Sequence, residues 1–424
     1  MQGLAGTRRL IAVNGLDHFL PGRERSLSPT CGTWAPHRET IESGGSMLMH
    51  YRSFGNLDWK PSALGFGAMR LPVVGGDQAR VDEAEAVRMI RHAIDRGVNY
   101  VDTAYTYHQG ISESIVGRAL RDGYRERVRL ASKLPPWLLK SIGDCDRILG
   151  EQLQRLQTDH IDFYLMHGLN KDRWPVVREL KVLDWADKAL ADGRIHYLGF
   201  SFHDRLSMFE EILNAYPGWS FCQIQYNYVD DEFQAGMRGL RLAAGKGLGV
   251  VVMEPLRGGA LASPPAQIQT ILNASPHKAE PADRALQWVW NQPEVSLALS
   301  GMSSMEHVEQ NLASAENSHV GALTEQDLAL YAHARVAYRG LRPIPCTDCQ
   351  YCQPCPNNVD IPRVFETYNG GVMLGAQDRA RFLYSLQKET DRANNCQECG
   401  ECEEQCPQQI EIIQWLKKAH EYMK

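Results

Sequence analysis

Residues 346–356 read CTDCQYCQPCP, and residues 396–407 read CQECGECEEQCP. Eight of the eleven cysteines lie in these two runs, whereas Cys31, Cys145 and Cys222 are scattered. A secreted disulfide framework spreads its cysteines along the chain. Clustering points instead to thiolates gathered round metal in a reducing compartment, and so to a cytoplasmic protein. The second run (Cys396, Cys399, Cys402, Cys406, Pro407) has the C-x2-C-x2-C-x3-C-P spacing of chains that hold two cubane iron–sulfur clusters. The first (Cys346, Cys349, Cys352, Cys355) is one residue shorter before its fourth cysteine, which leaves the geometry of Cys355 open. A pair of structural four-cysteine zinc sites is the alternative, but zinc ligands usually come as two separated cysteine pairs, not as packed triplets followed by proline.

A second chemistry is written upstream. Asp102 in NYVDTAYTYHQGISE, Lys133 in RLASK and His167 in DFYLMH each end a short apolar run, and Tyr107 follows Asp102 in the next loop. These types suit carbonyl reduction, in which hydride attack builds negative charge on oxygen and a proton must arrive there. A tyrosine hydroxyl donates that proton, but its free pKa of about 10 is high for the task. A neighbouring ammonium, Lys133, is expected to lower it. Asp102 would hold and neutralise the lysine, and His167 would hydrogen-bond the carbonyl oxygen. Singly, each residue reads more simply as a buried ion pair or a structural histidine. Four in order at successive strand ends read as a site.

Such a site needs elements that bring distant strand ends together. Apolar residues at helical spacing and short apolar runs alternate from 64 to 316, in eight strand–helix units. That span is close to the roughly 250 residues of a (β/α)8 barrel, whose reacting groups sit at the C-terminal strand ends. The rival is an open doubly wound sheet, which would show a glycine-rich dinucleotide turn after its first strand. GFGAMR lacks the third glycine. One helix is expected over 175–193, a linking helix over 324–342, and a small α+β cysteine domain over 343–424. The last ends in an apolar helix that packs on its own domain.

From 49 to 320 the sequence resembles the aldo-keto reductases. YRSFGNLDWKPSALGFGAMRLP is similar to the family's opening hairpin and first strand, and DTAYTY, LASK and LMHG to its catalytic blocks. The resemblance implies a TIM barrel, 47–323, that binds NAD or NADP in extended form across its mouth. The tetrad would fall on Asp102, Tyr107, Lys133 and His167. Ser201 in GFSFHD and Gln223 in CQIQYN would hold the carboxamide. Met253 would stand where many relatives stack an aromatic on the nicotinamide, and Pro255, Leu256 and Arg257 would lie in the loop round the pyrophosphate. In SGMSSMEHVEQN, Gln310 and Asn311 fit adenine contacts, but Gly301 and His307 replace the usual lysine and arginine for the 2′-phosphate. That weakens the case for NADP(H), with Arg257 a candidate substitute. Tyr105, His108, Trp137 and Trp174 are candidates for substrate walls.

The tail resembles the two-cluster ferredoxin fold, which some members of that family carry. There the fourth cysteine of each run ligates the other cluster. The resemblance implies one [4Fe–4S] on Cys346, Cys349, Cys352 and Cys406, and a second on Cys396, Cys399, Cys402 and Cys355. Three readings follow. The barrel is an active carbonyl or alcohol oxidoreductase whose clusters exchange electrons with a ferredoxin or flavoprotein. Or the barrel is an ordinary NAD(P)(H) reductase with structural or docking clusters. Or the chain is an electron-transfer module on a scaffold barrel, which the intact tetrad counts against. The sequence shows no flavin motif.

A net charge of −6 argues against nucleic acid or an anionic membrane as partner, and no apolar run suffices for a membrane span. Residues 1–46 lack periodicity and read as a leader or upstream extension, poorly packed, with Met47 or Met49 as the functional start.

Overall fold

The computed structural model describes residues 49–276 and 278–424. The expectations for residues 1–46 and Met47 lie outside that range.

Eight parallel strands close into a barrel in chain order: β1 (Leu64–Gly67), β2 (Tyr100–Asp102), β3 (Arg129–Leu134), β4 (Ile161–Leu169), β5 (Ile195–Phe202), β6 (Phe221–Gln225), β7 (Gly249–Met253) and β8 (Leu297–Gly301). Each pairs with its successor, and β8 returns to β1 through Phe66 opposite Ser300. The strands are short and buried because helices cover their outer face. These helices are α1 (Glu83–Asp95), α2 (Ser112–Ala119), α3 (Gly143–Leu156), α4 (Trp174–Glu179), α5 (Val182–Ala191), α6 (Leu206–Ala215), α7 (Gly236–Gly245), α8 (Ala266–Leu272), α9 (Pro281–Trp290), α10 (Met305–Ala315) and α11 (Glu325–Gly340).

Side chains alternate along each strand, so every second residue points into the barrel. Tyr100, Ala131, Phe163, Leu165, Phe221, Val251 and Leu297 share that interior with Phe54. The hairpin ahead of β1 inserts Phe54 from below, where its ring packs against Phe163 at 5.0 Å. A Cβ on Gly249 would lie 2.3 Å from the same ring, so only glycine fits there. Stepping two residues from Tyr100 gives Asp102, from Ala131 gives Lys133, and from Leu165 gives His167. The filling of the bottom thus fixes which polar residues face inward at the top.

Two elements differ from the sequence expectation. The helix expected over 175–193 is two helices, because Lys181 takes a left-handed φ of 53° between α4 and α5. The unbroken run of Val176, Val177, Leu180, Val182 and Leu183 conceals that kink. Helix α8, in the long connection after β7, was not anticipated. It packs against α11, the expected linker. Helix α11 opens with a capping box between Thr324 and Asp327 and buries Tyr331, Ala334 and Tyr338 in the barrel's main core, so it is part of the barrel wall.

The cysteine unit carries α12 (Ile361–Met373), α13 (Gln377–Ser385), α14 (Glu401–Glu404) and α15 (Ile412–Met423). Of the expected α+β build, the helical part is present. Among the described residues the unit contains no strand, because both cysteine runs coil as turns. Its own core joins Ile344, Phe365, Ile412, Leu416 and Met423, so α15 packs within the unit. The unit docks on the segments that follow β4, β5 and β7. Lys388 pairs with Asp172 at 2.8 Å, Arg205 with Asp348 at 2.7 Å and Arg379 with Glu254 at 3.1 Å. Met373 and Leu374 join the barrel's core. The cysteine unit is therefore a roof over the C-terminal end of the barrel.

Candidate active site

Lys133 Nζ lies 2.6 Å from Asp102 Oδ1 and donates to Thr103 O at 2.8 Å. The pair keeps only 1% and 2% of its side-chain surface exposed. The ammonium also lies 4.9 Å from the centre of the Tyr107 ring, close enough to hydrogen-bond its hydroxyl. Burial alone would depress Lys133, but Asp102 and Tyr107 outweigh it and hold the amine above its usual value, so it stays an ammonium.

Tyr107 departs from the sequence expectation. Burial pushes its phenol up, the ammonium of Lys133 pulls it back, and the net position is above the ordinary tyrosine value. The lysine acts in the expected sense, but a phenolate in a dry site costs more than one ammonium, itself shared with Asp102, returns.

His167 packs edge-on to Tyr107, with ring centres 5.8 Å apart, and 5.0 Å from Trp137. Burial, then the positive charges of Lys133 and Arg173, hold its imidazole well below the usual histidine range. It is neutral, and its Nδ1 is buried without a hydrogen-bond partner. A neutral ring has one N–H to offer a ligand oxygen.

All four residues border one cleft of about 2670 Å³, open to solvent, between the barrel mouth and the roof. Small-molecule sites commonly measure about 300–1,000 Å³, so this one has room for an extended cofactor together with a substrate. The ten residues expected at a dinucleotide border it as well. Gln223 is the informative one: its Oε1 is buried without a partner, and its Nε2 meets only Met253 Sδ at 3.6 Å. Beside it the hydroxyl of Ser201 accepts from the Gly168 N–H at 2.7 Å. An unsatisfied carboxamide next to a hydroxyl is a ready partner for a ligand amide. Asn311 is committed to Ser300 Oγ at 2.9 Å. Arg257 is buried and pairs with Asp230 at 3.1 Å, so its charge is already matched.

Of the expected wall residues, Trp137 and His108 border the cavity. His108 is tied to the Leu71 N–H and Gln78 O, which fixes the loop that carries Tyr107. Trp174 is not a wall: it is fully buried and its Nε1 donates to Glu211. Tyr105 turns away, its hydroxyl on Glu151 at 2.6 Å. Sequence reasoning missed Arg70, whose side chain fills the space that a Cβ on Gly301 would enter, at 3.1 Å. It also missed Arg173 and the roof residues Arg363, Glu366 and Arg379. No motif marks these, since they meet only through the docking of the two units.

The two cysteine runs come together in the folded unit. Cys406 sits near Cys346 and Cys352, whose thiols are pushed up by burial first and then by neighbouring groups that include Cys406. Cys355 borders a second small cavity with Cys352, Cys396, Cys399 and Cys402. Among the described residues, the one triad of His, Cys, Asp or Glu with ligand atoms within 4.8 Å of one another is His160, Asp162 and His196, and it contains no cysteine. Cys346 also borders the large cavity, together with Thr347 and Asp348.

Comparison with known proteins agrees with this geometry. The aldo/keto reductase family matches residues 63–330, and a 4Fe-4S dicluster domain matches residues 345–411. The chain is 30% identical over 297 residues to methylglyoxal reductase YeaE of Escherichia coli, a match covering 65% of this chain and 94% of that one. It is 27% identical over 289 residues to L-galactose dehydrogenase of Arabidopsis thaliana, covering 62% and 86%. Among solved structures, aldo-keto reductase AKR11C1 of Bacillus halodurans in its holo form superposes with a TM-score of 0.57 at 27% identity, covering 68% of this chain and 96% of that one. An aldo-keto reductase from Klebsiella pneumoniae in complex with NADPH gives 0.55 at 27% identity, covering 68% and 95%. Barrel, polar strand ends and cysteine roof together make this chain a member of the aldo/keto reductase family that carries a C-terminal 4Fe-4S dicluster domain.

Proposed function

We propose that the barrel interconverts a small carbonyl compound and its alcohol with NAD(P)(H). The observation that carries this reading is the dry Lys133–Asp102 pair beside Tyr107 and His167, in one cavity with the unsatisfied amide of Gln223. The NADPH held by the Klebsiella structure and the carbonyl chemistry in the relatives' names support it.

When bound, the reduced nicotinamide supplies hydride to the carbonyl carbon. The chain's own groups do the rest. Tyr107 gives its phenolic proton to the developing alkoxide, and Lys133, held by Asp102, stabilises the phenolate left behind. Neutral His167 donates a hydrogen bond to the same oxygen. Ser201 and Gln223 are assigned to the carboxamide, Met253 to one face of the ring, and Pro255, Leu256 and Arg257 to the pyrophosphate loop. Gly301, His307, Gln310 and Asn311 are assigned to the adenosine end.

The cysteine unit is assigned two [4Fe–4S] clusters, one on Cys346, Cys349, Cys352 and Cys406, the other on Cys396, Cys399, Cys402 and Cys355. Cubanes supply one-electron chemistry. The position of Cys346 on the wall of the catalytic cavity favours clusters that exchange electrons with the reaction there over purely structural ones. The redox partner outside would then be a ferredoxin or a flavoprotein.

Anaerobic purification, iron and sulfide counts, and EPR after addition of NADH or NADPH test the reading. Expected are about eight irons, reduction of a carbonyl, and clusters that reduce. Clusters that stay oxidised while a carbonyl is turned over would make the roof structural or a docking site. A chain that reduces no carbonyl with either nucleotide would leave the barrel a scaffold.

A further inference from the structure

One arginine of the cysteine roof reaches into the loop that follows β7. Arg379, near the start of α13, brings Nη2 to 3.1 Å from Glu254 Oε2. Arg70, which follows β1, brings its own Nη2 to 3.8 Å from the other oxygen, Oε1. The two guanidiniums also converge on Gly258, further along the same loop. A Cβ on Gly258 would lie 2.5 Å from Arg379 Nη1 and 3.0 Å from Arg70 Nη2. Gly258 takes a left-handed φ of 70° as well, so both its backbone and its surroundings call for glycine. The stem of Arg70 packs over Gly301 at the end of β8, where a Cβ would meet its Cγ and Cδ at 3.1 Å.

Two cations thus share one carboxylate, which leaves one positive charge over. A third guanidinium belongs to the same loop. Arg257 is buried and its Nε pairs with Asp230 at 3.1 Å, yet its Nη1 has no hydrogen-bond partner among the described residues. Its Nη2 lies 3.4 Å from the Cβ position of Gly370 on α12, so the roof passes over this arginine too. A buried donor without a partner costs free energy that a ligand oxygen would return. The place of these groups along the cleft gives the ligand. Met253, the residue before Glu254, touches Gln223 at 3.6 Å, on the side assigned to the carboxamide. Gly301 leads into α10, on the side assigned to adenosine. The middle of a dinucleotide is its pyrophosphate, and loops after the seventh and eighth strands of such barrels frequently hold phosphate. Guanidinium forks match phosphate oxygens.

We infer that Arg379 binds the pyrophosphate of the nucleotide together with Arg70, so that the cysteine roof completes the nucleotide site as well as holding clusters. The inference rests on the nucleotide part of the function proposed above and adds to it a residue from outside the barrel. Glu254 then has two roles: it docks the roof through Arg379, and it competes with phosphate for both cations.

The test titrates NADH and NADPH into the cluster-loaded protein and follows nucleotide fluorescence. Arg379→Ala should raise both Kd values alike, by about tenfold, the loss expected for one charged hydrogen bond. Arg379→Lys should recover part of it. A mere docking pair would make Glu254→Gln behave as Arg379→Ala does, since either change breaks the pair. Competition for the cations predicts the opposite, tighter binding of both nucleotides in Glu254→Gln. Kd values unchanged in Arg379→Ala, or weakened equally in the two variants, would overturn the inference. A loss confined to NADPH would place Arg379 on the 2′-phosphate and overturn it as well. Arg379-dependent nucleotide binding without turnover of any carbonyl would uphold the pyrophosphate contact and remove the reductase reading. Carbonyl turnover with Kd values independent of Arg379 would do the reverse.

Discussion

Lys133 and Asp102 form a buried ion pair at 2.6 Å, in which the lysine also serves Tyr107 while the aspartate serves the lysine. Removing one partner of such a pair strands the other charge in a dry site, at a cost of about 3–5 kcal/mol. Asp102→Asn should therefore lower the melting temperature as well as kcat. A double variant, Asp102→Asn with Lys133→Met, should recover much of the stability and none of the activity. Thermal melts beside steady-state rates check this.

Tyr107→Phe removes the proton donor and little else. Loss of a positioned general acid commonly costs about 10²–10⁴ in rate. The expected outcome is a fall of that size in the chemical step, with nucleotide Kd within about twofold of wild type. Single-turnover kinetics and a nucleotide titration read the two separately, and unchanged turnover would take Tyr107 out of the mechanism.

The pH dependence follows from the raised phenol. A group held above its ordinary value stays protonated to higher pH, so Tyr107 keeps its proton across the neutral range. Carbonyl reduction should be flat from about pH 7 to about pH 9, whereas alcohol oxidation, which needs the phenolate, should climb over that interval without levelling. His167 is displaced in the opposite direction, so it remains neutral well below pH 6.5 and should impose no acid limb above about pH 6. A bell centred near neutrality would contradict both assignments.

Nucleotide preference should be weak. Gly301 offers no side chain for a 2′-phosphate, and Arg257 is already matched by Asp230 at 3.1 Å. The cation packed against Gly301 is Arg70, whose side chain is 40% exposed and 3.8 Å from Glu254. Exposed pairs of this kind contribute about 0–1 kcal/mol. NADH should therefore bind within about fivefold of NADPH, and Arg70→Ala should remove any NADPH advantage. A large NADPH preference that survives Arg70→Ala would show another phosphate partner.

Cys399→Ser should lose iron from the second cluster only. The core of Ile344, Phe365, Ile412 and Leu416 does not include Cys399, so the roof should keep its fold. Iron analysis should fall from about eight to about four, and nucleotide binding by the barrel should persist. A full complement of iron would refute the ligand set.

What is local or periodic was legible in the chain. Cysteine spacing named the cluster chemistry because the ligands of a cubane come mostly from one short turn. The alternation of strand and helix named the barrel, and the two-residue period along β2, β3 and β4 placed Asp102, Lys133 and His167 on its inner face. Folding in three dimensions set what depends on distance in space. The kink at Lys181 was hidden by an unbroken apolar stripe, and Trp174 proved a core residue because α6 supplies Glu211 to its indole. The net direction at Tyr107 could not be read from its neighbours in the chain, since it is a balance between burial and one shared ammonium. The docking of the whole roof on the barrel mouth, as in the pairs Lys388–Asp172 and Arg379–Glu254, left no mark in either segment. Residues that touch only after two separate cores have formed and docked share no spacing for a sequence to display.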